Sequence, residues 1–200
     1  VGPERLARWI DGFAERHGAF AVRVADGRLV LTAADGAVAE LAPPPGAAVA
    51  GKLAETVAQF VAAASAPRRL GLLLVRRGGV AVGVAAGADL VASKVDSAYV
   101  QSRTAAGGWS QQRFARRREN QAGALARGAA DVAARLLAGE RLDALVTGGD
   151  RGLVGAVLAD ARLDALPAPA RHLDVPDPRL AVLRAAVAAA RAVQITLRDP

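Results

Sequence analysis

The stretch GGWSQQRFARRREN, residues 107–120, gathers residue types that could do chemistry. Gly107 and Gly108 lack side chains, so their backbone N–H groups can approach a ligand closely. Gln111 and Gln112 follow an aromatic and a hydroxyl residue, Trp109 and Ser110. A glutamine amide donates and accepts hydrogen bonds and can orient a water molecule. It stays neutral, so it is not a general base at pH 7. Arg113, Arg116, Arg117 and Arg118 come next, with Arg103 upstream. Guanidinium groups suit bidentate phosphate contacts. A flexible polar tip on a basic stem is the functional reading. Each part also has a plain structural explanation: a strand-to-helix turn for the glycines, packing against its own domain for Trp109, and a solvated helix face for the arginines.

The charge distribution favours the functional reading. Residues 101–127 supply five of the seven net positive charges, so the rest of the chain is nearly balanced. A concentrated patch points to a polyanion better than an overall basic composition does. At about 100° per residue, Phe114, Ala122, Leu125, Ala129, Val132 and Leu136 share one helix stripe. Arg113, Arg116, Arg117, Asn120, Arg127 and Arg135 share another. Arg118 falls towards the apolar stripe and must snorkel or meet a partner where the helix overhangs. Cations crowded near a helix N-terminus oppose the helix dipole and repel one another. Phosphates would relieve both costs, and such binding would weaken steeply with salt. The implied partner is nucleic acid.

Positioning this segment requires a scaffold, and the flanking pattern provides one. Residues 3–18 have helical spacing with Leu6, Ile10 and Phe13 on one face, and Pro3 suits the first turn. Residues 19–41 read as three short strands joined at Asp26-Gly27 and Asp35-Gly36. The Pro-rich turn 43–46 marks a possible joint, with residues 1–42 as a helix-plus-hairpin subdomain of a single 1–200 domain. A helix over 47–65 follows, with Leu53, Val57 and Phe60 along one stripe. Two apolar runs around Gly78-Gly79 then predict a central hairpin covered on both faces. A longer, more polar strand leads into the tip. After the basic helix come a strand and glycine turn (LDALVTGGD), a helix, a short strand near 170–173, a helix over about 178–191 and a last strand, VQITL. Strands first, then alternating elements, predict an α/β fold with a mixed β-sheet and packed helices.

GGWSQQRFARRR resembles the active-site loop of the eukaryotic and archaeal class-one translation release factors. In that family a Gly-Gly-Gln tip precedes Ser, two residues and an Arg-Phe-Ala-Arg helix start. Gly107-Gly108, Ser110, Arg113-Phe114-Ala115-Arg116 and Arg118 match without a gap. Trp109 stands at the ungapped glutamine position. The release-factor-like hydrolases of ribosome quality control (the Vms/ANKZF type) also insert a residue before the glutamine. The chain looks closer to them, as a bacterial, actinobacterial-type branch with a two-residue spacer. The resemblance spans residue 70 to the C-terminus and implies a release-factor catalytic-domain-like α/β sandwich, RNase H-like or ribosomal-protein-like. It implies hydrolysis of peptidyl-tRNA in ribosome rescue, with Gln111 as catalytic glutamine, Gln112 as fallback, and Gly107 and Gly108 lining the site. Arg103, Trp109, Arg113, Arg116, Arg117 and Arg118 would contact RNA of the tRNA acceptor end or the large ribosomal subunit. No cofactor or metal is required.

Other signals exclude more than they suggest. The absence of cysteine rules out disulfides and thiol nucleophiles and fits a reducing cytoplasm. No long apolar run or leader-like start is present, which is the expectation for a cytoplasmic protein without membrane contact. His17 and His172 lack neighbouring ligands, and Asp96, Asp143 and Asp150 read as turn or cap residues rather than a metal cluster. GGDRG lacks the Lys-Ser/Thr of a P-loop. Two rival functions stay open: a non-catalytic ribosome- or tRNA-binding module, favoured by Trp109, and a nuclease acting on the tRNA 3′ end.

Overall fold

The computed structural model describes residues 1–47, 57–97 and 111–200; for residues 111–120 it describes the helix backbone alone. Two compact units emerge, Val1–Arg68 with Ala188–Pro200, and Arg69–Val187. Among the described residues no helix is long and apolar enough to cross a membrane.

In the first unit, helix α1 (Pro3–His17) buries Leu6, Ile10 and Phe13 and keeps Arg16 and His17 in its last turn, where they complement the helix dipole. Strands β1 (Phe20–Ala25), β2 (Arg28–Ala33) and β3 (Val38–Ala42) form an antiparallel meander. Its first turn places Asp26 and Gly27 both at positive φ, 49° and 69°, the conformation for which Asp-Gly hairpins are selected. Leu29, Leu31, Ala39 and Leu41 pack with α1 and with Phe60 and Ala64 of α2 (Val57–Ser65). The Phe13 ring lies 5.9 Å from Trp9 and 6.0 Å from Phe20, so scarce aromatics are concentrated in this core.

The second unit is built on a five-stranded mixed sheet. Strands β4 (Arg69–Arg76) and β5 (Gly79–Ala86) form the central hairpin, and both are buried almost throughout. Strand β6 (Asp89–Ser97) is the more polar edge beside β5. Helix α3 (Gln111–Leu137) returns the chain to β7 (Ala144–Gly149), which runs parallel to β4. Helix α4 (Arg151–Leu158) and a short 3-10 turn (Ala161–Leu163) then lead to β8 (Pro169–Leu173), parallel to β7. Helices α3 and α4 cover the face bearing Leu73, Val75, Val80, Val82 and Val84. On the other face, Leu183 of α5 (Leu180–Arg191) lies against Gly83.

Two details were not given by the sequence pattern. The last strand, β9 (Gln194–Arg198), does not extend the mixed sheet; it pairs antiparallel with β3 and completes the first unit's order β1-β2-β3-β9. The buried face of α3 is also wider than its apolar stripe. Ala126, Ala130, Ala133 and Leu137 are buried beside Ala129 and Val132, because alanine's small side chain lets a helix approach the sheet closely on that flank.

Candidate functional site

Strand β6 ends at Ser97 and α3 begins at Gln111. Because β6, β4, β7 and β8 all run in one direction, the end of β6 lies at the edge of the sheet where the parallel strands terminate. Ligand sites of open α/β sheets favour that edge. Arg103, Gly107, Gly108 and Trp109 lie outside the described residues. Gln111 and Gln112 open α3, and Arg113, Arg116, Arg117 and Arg118 follow in its first turns, with only their backbone described.

The same sheet edge is braced by short polar contacts. The Asp150 backbone N–H donates to the Val75 carbonyl at 2.8 Å. Asp150 Oδ1 accepts from the Leu153 N–H at 3.0 Å and so caps α4. His172 Nε2 lies 3.1 Å from the Gly149 carbonyl, which can only accept, so the ring proton sits on Nε2. In the neutral ring Nδ1 is then an acceptor, and the buried Thr147 hydroxyl donates to it at 3.0 Å. Arg76 Nη1 donates to the Val175 carbonyl at 2.6 Å, joining the β4 end to the chain beyond β8. His172 is therefore a structural residue here.

Of the three aspartates read from sequence as turn or cap residues, Asp150 takes such a role, whereas Asp143 and Asp96 are held in other contacts. Asp150 caps α4, Asp143 Oδ2 accepts from the Arg69 N–H at 2.7 Å, and Asp96 pairs with Lys94 at 3.1 Å. His17 pairs with Asp35 at 2.8 Å in the first unit. The Asp35 carboxyl is held below its ordinary pKa, first by the Ala37 N–H and then by His17.

The described length of α3 exposes Arg127, Asp131 and Arg135. Asp131 does not stay among its own helix's arginines. Its Oδ1 lies 2.8 Å from Nη2 of Arg162, on the 3-10 turn after α4. Arg162 is itself gripped by Asp160, through Nε to Oδ1 at 2.8 Å and Nη2 to Oδ2 at 2.7 Å. Nothing in the local sequence signals that Asp131 joins the Asp160–Arg162 pair, because the packing of α3 against the 3-10 turn brings it there.

Hydrogen bonds from the Arg162 side chain, then from its backbone N–H, lower the Asp160 pKa to about 2. A lowered carboxylate pKa contributes stability above its unfolded-state value and loses it as pH falls through the folded value. The window for Asp160 therefore runs from 3.8 down to about 2. A carboxyl-detected NMR titration is expected to place Asp160 near the lower limit in the wild type. In Arg162→Ala it should move up towards the upper limit; a wild-type midpoint already there would contradict the grip.

The family model for the Actinobacteria/chloroflexi VLRF1 release factor (acVLRF1) matches residues 68–196. That range takes in β4 through α5 and the whole of the tip and basic helix. A search of curated proteins finds no match to the chain.

Proposed function

This chain belongs to the Actinobacteria/chloroflexi VLRF1 release-factor family, and on that premise we propose that it hydrolyses the ester joining a nascent peptide to tRNA on stalled ribosomes. A release-factor-like, ribosome-related role comes with the family. The chemistry rests on one observation: Gly107-Gly108, a two-residue spacer, Gln111 and an arginine helix occur in that order within a dozen residues.

An ester is intrinsically labile, so the catalyst's task is to place water and stabilise the developing oxyanion. Gly107 and Gly108 supply backbone donors without side-chain bulk, and the Gln111 amide orients the attacking water. The water oxygen bonds to the ester carbonyl carbon, and the tRNA 3′-oxygen leaves with a proton. No titrating side chain is needed in this scheme. Arg113, Arg116, Arg117 and Arg118, with Arg103, hold phosphates, and Trp109 stacks on a base or ribose. The place of action in this reading is the cytoplasm, where the ribosome-bound substrate is made.

The test is peptide release from purified ribosomes carrying peptidyl-tRNA, followed by inspection of the tRNA. Released peptide with an intact CCA end is the expected outcome. Shortened 3′ ends would replace the reading with a nuclease, and binding without release would leave a non-catalytic ribosome-binding module.

A further inference from the structure

Building on the RNA-binding part of that reading, we propose that α3 carries a second phosphate-binding stretch at Arg127 and Arg135. Arg162 keeps this stretch available by withdrawing Asp131 from it. Arg127, Asp131 and Arg135 are spaced four apart on one helix, the spacing at which opposite charges ordinarily pair. Asp131 N-terminal to Arg135 is the favourable orientation for such a pair. Instead, the Asp131 carboxylate is drawn to Arg162 at 2.8 Å. Among the described residues no carboxylate lies within ion-pair distance of Arg127 or Arg135, although both are exposed. A site for Asp131 is ready on Arg162 because Asp160 fixes that guanidinium through Nε and Nη2, and the same Nη2 also reaches Asp131.

The two arginines extend a line. By helical register Arg127 lies within about 40° of Arg113 and Arg116, and Arg135 is in line with Arg117. From residue 113 to residue 135 the axial rise is roughly 33 Å at 1.5 Å per residue. The Arg127 guanidinium leans towards the helix N-terminus, with Nη1 3.5 Å from where a Cβ on Gly123 would stand. Residues 121–137 contain no aromatic side chain on which unpaired bases could stack. Repeated guanidinium groups without stacking platforms suit a regular phosphate backbone rather than splayed single-stranded bases. The partner on this stretch is therefore the backbone of base-paired RNA.

The experiment measures affinity of the whole chain for a short, fully paired RNA duplex over a salt series. Arg127→Gln with Arg135→Gln is expected to weaken binding about 5- to 50-fold at low salt. The slope of log affinity against log salt should shrink by about 1 to 2, since each phosphate contact contributes nearly one unit. Arg162→Ala should weaken binding several-fold by releasing Asp131 onto the stretch, and adding Asp131→Asn should restore it. That rescue separates charge release from simple loss of structure. Unchanged affinity and slope in the double variant would overturn the proposal, and an unrescued Arg162→Ala would overturn the role of Arg162. Peptide release by the wild type, assayed in parallel, keeps the two readings apart. Release with an unchanged salt slope sinks the second stretch alone; a reduced slope without release sinks the hydrolase reading alone.

Discussion

Gln111→Ala is expected to slow peptide release from ribosome-bound peptidyl-tRNA by about 100-fold or more, the scale of loss when a reacting group is no longer held in its attack geometry. RNA affinity should change less than about twofold, because the amide carries no charge and contributes nothing to counterion release. Gln112→Ala should cost much less. Consecutive helical residues are rotated by about 100°, so two adjacent glutamines at the start of α3 cannot both serve one water molecule. The comparison therefore reads the register of the tip directly. Loss in Gln112→Ala alone would move the water-orienting amide one residue along. Equal activity in both variants and the wild type would remove the glutamines from the mechanism.

Local signals made much of this fold legible. Asp-Gly pairs announced the first hairpins, and the two apolar runs around Gly78-Gly79 announced the covered central pair, because turn geometry and burial act over a few residues. What escaped was long-range or carried by weak side chains. Nothing in QITLR states which sheet it will join. Its alternation marks a strand, but pairing with β3 across most of the chain is decided by tertiary packing. On α3, alanine adds little to a hydrophobic pattern, so Ala126, Ala130 and Ala133 were absent from the expected core stripe although all three are buried. The arginine side of the helix was read more easily, since exposed charge needs no partner to be recognised. Arg162 was invisible in turn, because only folding brings it beside Asp131. The site's residues are legible by type and family, and the structure describes the elements on either side of them, β6 and α3.

Among the described glycines of the second unit, Gly149→Ala should cause the largest loss of stability. Gly149 has φ of 92°, a left-handed conformation that side-chain-bearing residues adopt only with strain. A Cβ there would sit 2.2 Å from the Val75 carbonyl oxygen and 3.0 Å from its carbon. Those are backbone atoms of the central strand β4, which cannot swing aside as a side-chain tip can. The same oxygen accepts the Asp150 N–H at 2.8 Å, and Asp150 caps α4, so any retreat loosens both the β4–β7 junction and the helix start. Left-handed strain of about 1–2 kcal/mol and overpacking of about 1–3 kcal/mol together predict a loss of roughly 2–5 kcal/mol. For a protein of this size that lowers Tm by about 4 to 20 °C. Gly155→Ala is the matched control: it lies on the exposed side of α4 with nothing near its added Cβ. There the change should be neutral or stabilise by up to about 1 kcal/mol, as alanine replaces glycine within a helix. Thermal melts of both variants decide the point. If Gly149→Ala melted within about 2 °C of wild type, the Val75–Asp150 bridge would have to be soft enough to absorb the added methyl.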